Sequence, residues 1–368
     1  MRLPLKEPFA ISSGVTSDRR ILLLELVESS GASVFSECVA GERPNYSEET
    51  VDTAWLAIRR WLAPRILGRD VADPREVADV LDREVRGHRM AKAALEMGVW
   101  AMDAVLRGES LSRRLGGTRD RVATGISLGL EPTPEALVEK AVAARRAGYR
   151  RIKLKIAPGA DVAYVRAVRA ALGPHVPLTV DANAAYTLAD LPTFEALDAF
   201  GCAFVEQPLA ADRLLDHARL QAAIRTPVCL DESVTGVARA EEMIALGAGR
   251  VVNLKPGRVG GFAASLAVHD LCAAHGVPVW CGGMLESGIG RAYNVALASL
   301  PNFTLPGDLS PSARYWARDL VEPEWTMDSE GWVRVPRDEP GLGVAVDVER
   351  VEALAVRRAV CRAQGARR

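Results

Sequence analysis

Between Arg151 and Lys255 the chain repeats one pattern: a short run rich in Val, Ile and Leu that stops on an ionisable residue. The pieces read RIKLKI, LTVDAN, FVEQPL, VCLDES and VVNLKP, and they end on Lys153 and Lys155, Asp181, Glu206, Asp231 and Lys255. From Lys155 to Asp181, Glu206, Asp231 and Lys255 the successive intervals are 26, 25, 25 and 24 residues. A period near 25, each with one buried-type strand and one helical stretch, marks repeated βα units. If such units close into a barrel, every strand delivers its last residue to the same mouth. Three carboxylates from successive strands would then stand between two strands that end in lysine.

The rhythm extends both ways. VATGISLG reads as a strand offering Ser127 and Gly129 at its end, and EPTPEALVEKAVAARRAG as a helix with proline in its first turn and glycine at its close. Beyond VVNLKPGRVGG come a helix over 262–275, the strand VPVWCGG, a helix around 290–300 and a weaker strand, FTLPGDL. Residues 1–118 lack the rhythm. There, RRILLLELVESSGASVFSECVAG predicts a hairpin turning at SSGAS. Helical spacing follows over 47–67 (Val51, Ala54, Trp55, Ile58, Leu62) and 88–106 (Ala91, Leu95, Val99, Met102, Leu106). Strands followed by helices without alternation indicate a separate α+β domain. ISSGVTSDR and ERPNYSEET read as loops, either solvated connectors or covers for the barrel mouth. The tail, with WTMDSEGWVRVP and a polar final helix, is expected to pack back on the N-terminal domain.

Composition removes other classes. The net charge is −1 with no acidic or basic block, which gives nucleic acid or an anionic membrane surface nothing to bind. MRLPLKEPFA lacks a signal-peptide core and no apolar run reaches membrane-spanning length, so the chain reads as cytoplasmic. Its six cysteines (Cys38, Cys202, Cys229, Cys272, Cys281, Cys361) show no zinc-type spacing and read as free, mostly buried thiols. His269 and His275 read as structural, and no glycine-rich phosphate loop follows the last strands.

Asp181, Glu206 and Asp231 are hard oxygen donors without His or Cys beside them, a set that suits Mg²⁺, or Mn²⁺ in its place. The competing reading is that each acid caps the next helix. Lys153 and Lys155 share a strand face, so both enter the barrel if either does; otherwise they extend to solvent. Two adjacent ammoniums lower each other's pKa from about 10.4, towards the range of a general base. A cation beside a substrate carboxylate makes its α-proton more acidic, a unit charge pair 4 Å apart at a dielectric near 20 being worth about 4 kcal/mol. Lys155 would take that proton, and Lys255 would stabilise the enediolate or return a proton to its other face.

These motifs, with HRMAKAALEMGVWAMD, NLKPGRVGG and WCGGMLESGIGRAYN, closely resemble the muconate-lactonizing subgroup of the enolase superfamily. Within it the match is to the o-succinylbenzoate synthase / N-succinylamino acid (N-acylamino acid) racemase family. Sites of that superfamily pair a Lys or His base with Mg²⁺. The resemblance implies Lys155 as base, Lys153 and Lys255 as its catalytic companions, and Asp181, Glu206 and Asp231 as metal ligands. It also implies a charged role for Arg258 and pocket positions for Gly283 and Met284; Ser127 is a further pocket candidate. Glu232, beside Asp231, is either a supporting residue or a helix cap. The implied fold is an α/β, modified (β/α)7β TIM-type barrel (119–312) under an α+β capping domain built from 1–118 and a C-terminal segment, 313–368. The implied activity is Mg²⁺-dependent dehydration of 2-succinyl-6-hydroxy-2,4-cyclohexadiene-1-carboxylate to o-succinylbenzoate, towards menaquinone, with racemisation of N-succinyl or N-acyl amino acids. No organic cofactor is expected, the partner is a small-molecule carboxylate, and a homo-oligomer is expected. Dipeptide epimerisation, muconate cycloisomerisation and a non-catalytic metal-binding barrel are the alternatives.

Overall fold

The computed structural model describes residues 1–12 and 14–363. Strands Arg2–Ile11 (β1) and Gly14–Arg20 (β2) pair antiparallel, as do Leu22–Val27 (β3) and Ser33–Cys38 (β4). The second pair is the hairpin expected at SSGAS. The first departs from the loop expected at ISSGVTSDR, of which Ser13 lies outside the described residues. GVTSDRR is polar apart from the exposed Val15, so no apolar alternation marks it; backbone pairing from Ile11↔Gly14 to Arg2↔Arg20 makes it a strand.

The first expected helix runs from Val51 to Ile66, entered through a capping box between Thr50 and Thr53 and loosened by a π turn over Ile58–Leu62 just before Pro64. The second spans Arg89–Leu106 and buries Ala91, Leu95 and Met102, whereas Leu106 at its end is exposed. Gly98 lets the β3–β4 hairpin approach closely, since a Cβ there would meet Leu26 Cδ1 at 2.8 Å. A helix over Glu76–Asp82 carries no pattern longer than two turns and was not expected.

After the short strand Arg121–Ala123 (β5), seven strands form one parallel sheet in strict chain order: Gly125–Leu128 (β6), Arg151–Lys155 (β7), Leu178–Asp181 (β8), Val205–Glu206 (β9), Val228–Leu230 (β10), Val251–Leu254 (β11) and Val279–Cys281 (β12). The stretch 303–308 fills the eighth position. Phe303 bridges Val279 and Gly307 bridges Thr124, both in parallel sense. Backbone bonds from Asp308 N to Cys281 O (2.8 Å) and from Gly125 N to Gly307 O (2.7 Å) close the ring. FTLPGDL is therefore the last stave, held by isolated bridges rather than a full ladder. His269 helps fix it, accepting from Asn302 N at 3.0 Å and stacking on Phe303.

Val321–Glu322 (β13) pairs with Ala345–Val346 (β15), while Trp332–Arg334 (β14) pairs antiparallel with β5. The tail thus straps the strand that leads into the barrel as well as touching the N-terminal segment, where Leu111 N donates to Gly341 O and Arg357 lies over the Trp55 ring. Its helix spans Val348–Leu354; residues 364–368, part of the polar helix expected at the end, lie outside the described residues. Among the described residues no helix is long and apolar enough to cross a membrane. The six cysteines are free, all buried except the partly exposed Cys361.

Candidate active site

The barrel register sets the site. Lys155 lies opposite Asp181, Asp181 opposite Glu206, and Ser127 opposite Lys153 on the neighbouring strand. Paired residues share a face, so one inward row carries all of them. Lys155 Nζ donates to Asp181 Oδ2 and to Asn183 Oδ1, each at 2.6 Å. Lys153 Nζ lies 3.2 Å from Asp181, 2.9 Å from Glu206 and 2.9 Å from Asp308. Across the mouth, Lys255 Nζ is 2.7 Å from Asp231 Oδ2, and Arg258 pairs with Oδ1 of the same carboxylate. Asn253 joins the two halves: its amide donates to Glu206 Oε1 at 2.6 Å and its carbonyl accepts from Arg258.

The lysines do not extend to solvent, and the acids do not cap helices. The helices after β8, β9 and β10 begin at Leu191, Leu214 and Val237, several residues beyond the acids. Counting staves from β6, Lys155 is on the second and Lys255 just past the sixth of eight, so they face each other across the barrel with the three acids on the staves between. Arg258, which would be a surface residue by its loop setting alone, is buried.

The charges act on one another. Burial pushes the Lys153 ammonium down, but Asp308, Glu206 and Asp181 together outweigh it and hold its pKa above the usual lysine value. Lys255 is raised likewise, burial opposing while Tyr46, Glu232, Glu206 and Asp181 favour the cation. This reverses the lowering expected for Lys153 from the KxK pair, because the surrounding acids exceed the second ammonium. Burial works to raise Asp181, yet Lys155 and Lys153 hold it below the carboxylate range; burial and Asp181 push Glu206 up.

Among the described residues no three His, Cys, Asp or Glu side chains stand as a ready-made ion cage, since ammonium and guanidinium groups lie between the acids. The donors still fit a hard cation. They are carboxylate oxygens throughout, and two further buried oxygens, Oε2 of Glu232 and Oδ1 of Asn253, have no hydrogen-bond partner. Glu232 is no helix cap: its Oε1 accepts from Asn183 Nδ2 at 3.2 Å.

Of the pocket candidates, Ser127 has a buried, unpartnered Oγ in the inward row. A Cβ on Gly283 would meet Asp308 O at 3.1 Å, which places it against the eighth stave. Met284 packs in the same cluster as Tyr46 and Trp55, where cap meets barrel. An open cavity of about 800 Å³ lies instead at the other end of the barrel, near Arg121, Thr326 and Trp332, and none of the predicted residues lines it.

Sequence reasoning missed six side chains here. Arg151 and Asn253 each stand two residues before a predicted lysine, and the i, i+2 rule applied once more would have found both. Asp308 closes the weakest strand candidate, and Asn183 ends LTVDAN just past the strand, where the period marks Asp181 alone. Tyr46 gave no signal: it comes from ERPNYSEET, and its Oη meets Asp231, Lys255 and Arg258. Ser12, on the β1–β2 turn, lies 3.4 Å from the carbonyls of Ala182 and Asn183. Both loops therefore cover the mouth. Backbone strain collects there as well, with Asn183, Gln207 and Leu285 at φ of 43°, 35° and 57° just past β8, β9 and β12.

Residues 136–351 match the family model described as enolase C-terminal domain-like, and residues 1–116 match the mandelate racemase / muconate lactonizing enzyme N-terminal domain. An o-succinylbenzoate synthase of Geobacillus kaustophilus is 46% identical over 352 residues, 96% of this chain and 93% of the relative. An N-succinylamino acid racemase of an Amycolatopsis species is 49% identical over 347 residues, 94% and 92% of the two chains. The crystal structure of an enolase-superfamily member from Listeria innocua superposes with a TM-score of 0.92 at 37% identity, covering 96% of this chain and 94% of that one. By motif, fold and relatives alike, the chain belongs to the enolase superfamily, in the family of o-succinylbenzoate synthases and N-succinylamino acid racemases.

Proposed function

We propose that the protein removes the proton α to a carboxylate with the help of a divalent cation. It dehydrates 2-succinyl-6-hydroxy-2,4-cyclohexadiene-1-carboxylate to o-succinylbenzoate, towards menaquinone, and racemises N-succinyl and other N-acyl amino acids. The observation that carries this reading is the placement of Lys155 and Lys255 on opposite staves, each tied to a carboxylate at 2.6 or 2.7 Å. Asp181, Glu206 and Asp231 would hold Mg²⁺, or Mn²⁺ in its place, and the bound ion would acidify the α-proton. Lys155 takes the proton. Lys255 keeps a positive charge on the opposite face, or returns a proton there during racemisation. Lys153 holds its charge beside Asp181 and Glu206, and Arg258 shares Asp231 with Lys255.

Dehydration with syn geometry needs one lysine, whereas racemisation needs both, and the names of the relatives cover both reactions. Ser127, Gly283 and Met284 are proposed to line the substrate pocket. Residues 1–118 with the tail from 313 act as the cap, through Tyr46 and Ser12. The even charge balance and lack of a membrane-length helix among the described residues support a cytoplasmic enzyme of small carboxylates.

The deciding experiment supplies purified protein and Mg²⁺ with the cyclohexadiene dicarboxylate, N-succinyl amino acids, dipeptides and muconate, and follows α-deuterium exchange in D₂O. Dehydration or N-succinyl racemisation is expected. Activity on dipeptides or muconate alone would reject the proposal in favour of a related enzyme, and exchange with none of them would leave a barrel without catalysis.

A further inference from the structure

The inward row of β7 carries three buried cations in successive layers, Arg151, Lys153 and Lys155. Buried charges need partners at each level. Lys155 has Asp181, and Lys153 has Asp181, Glu206 and Asp308. Arg151 pairs with Asp308 and, among the described residues, with no other acid. Its Nε and Nη1 are unpartnered, and its guanidinium lies 4.1 Å from the centroid of the Trp280 ring. Asp308 is thus shared by the two lower cations. It sits on the eighth stave, outside the repeated motifs, on a backbone bonded to both neighbours: Gly307 N donates to Ala123 O and Asp308 N to Cys281 O. A Cβ on Gly307 would meet Cys281 O at 3.0 Å, so the stave packs tightly against its neighbour at this register.

Two of the three acids around Lys153 are carboxylates assigned above to the metal. Without Asp308, Lys153 would have only those two, and an incoming cation would compete with the ammonium for both. We infer that Asp308 is a positioning residue: it draws the Lys153 ammonium towards the eighth stave and leaves Asp181 and Glu206 free to take a divalent cation. This rests on the metal-dependent reading of the site.

The test is Mn²⁺ binding to the full-length protein without substrate, read from the resonance signal of free Mn²⁺. Asp308→Asn alone strands two cations and can prevent folding, so two double variants that conserve interior charge are compared. Arg151→Met with Asp308→Asn keeps Lys153 and should weaken Mn²⁺ binding by about tenfold or more. Lys153→Met with Asp308→Asn removes the competing ammonium and should bind at least as tightly as the parent. Equal weakening in both doubles would mean a purely structural role and overturn the inference, as would parental affinity in the first. A parent protein that binds no Mn²⁺ overturns the metal-dependent function itself, a result distinct from either.

Discussion

The hydroxyl of Tyr46 donates to Oδ1 of Asp231 at 2.9 Å, across 185 residues of sequence and from the cap into the barrel. Lys255 and Arg258 donate to the same phenol oxygen at 3.2 and 3.3 Å, and the Lys255 ammonium lies 4.5 Å from the centroid of the ring. Burial pushes the phenol's pKa up, against the pull of Lys255 and Arg258, so it remains a donor. The cap thereby holds one of the two opposed lysines in place.

Replacing Tyr46 with Phe keeps the ring and removes the oxygen. A hydrogen bond to a charged group contributes about 1.5–3 kcal/mol, so racemase kcat/KM should fall roughly tenfold to a hundredfold. Dehydration, which calls on Lys155, should fall less. Steady-state assays of both reactions decide this, and equal losses would show that Tyr46 does not act through Lys255.

The opposition of the lysines makes a prediction about stereochemistry. Lys155 and Lys255 stand on facing staves, so under the proposed function each would reach one side of the α-carbon. Lys255→Ala should stop racemisation yet leave deuterium exchange from the enantiomer whose proton faces Lys155; Lys155→Ala should do the reverse. Proton NMR of each enantiomer in D₂O reads this directly. Exchange from both enantiomers in the Lys255 variant would exclude the two-sided arrangement.

How far the sequence revealed this site follows from what each residue depends on. Lys153, Lys155, Asp181, Glu206, Asp231 and Lys255 were legible because they stand at strand ends and recur with the βα period, and a barrel turns period into position. Arg258 was legible only by resemblance, for a polar loop gives no sign that Asp231 and the carbonyl of Val234 will bury it. Asp308 stands on a stave held by isolated bridges, which leaves little apolar pattern to read. Tyr46 depends on how two domains dock, a relation that local periodicity does not carry. The polar strand β2 was missed for a similar reason, since its pairing with β1 rests on backbone groups common to every sequence.

Domain docking rests partly on Glu96. From the cap helix Arg89–Leu106 it accepts from the first backbone donors of the barrel helix Phe262–Ala274, Phe262 N at 2.7 Å on one oxygen and Ala263 N at 2.8 Å on the other. The second oxygen also takes Trp100 Nε1 at 2.8 Å. Both oxygens are therefore committed as acceptors, and Glu96→Gln would turn an amide N–H against an N–H. The expected cost is about 1–3 kcal/mol, measured as a lower urea midpoint at constant slope. An unchanged midpoint would mean that the capping bonds hold no share of the interface.

Glu37 makes the contrasting case in its hydrogen bonds and, like buried Glu96, adds a pH dependence to stability. On β4 it accepts chiefly through Oε2, from Ser287 Oγ at 2.6 Å, Ser287 N at 3.1 Å and Gly290 N at 3.2 Å, at the start of the barrel helix Gly288–Ala298. Burial pushes its pKa up to about 7, with Glu286 adding to the rise and Ser287 opposing it. A carboxyl raised above its unfolded value binds more protons folded than unfolded, so its contribution is fully present below about 4.5 and is lost as pH rises through about 7. A rise of that size corresponds to a loss on the order of 3 kcal/mol across the window. Glu37→Gln can keep its amide oxygen towards Ser287 and Gly290 and carries no charge to bury. The variant should match the parent near pH 5, exceed it in stability at pH 8, and show a flatter profile between. Urea melts at half-unit pH steps test this; profiles that stay parallel from pH 5 to 8 would remove Glu37 as the titrating group.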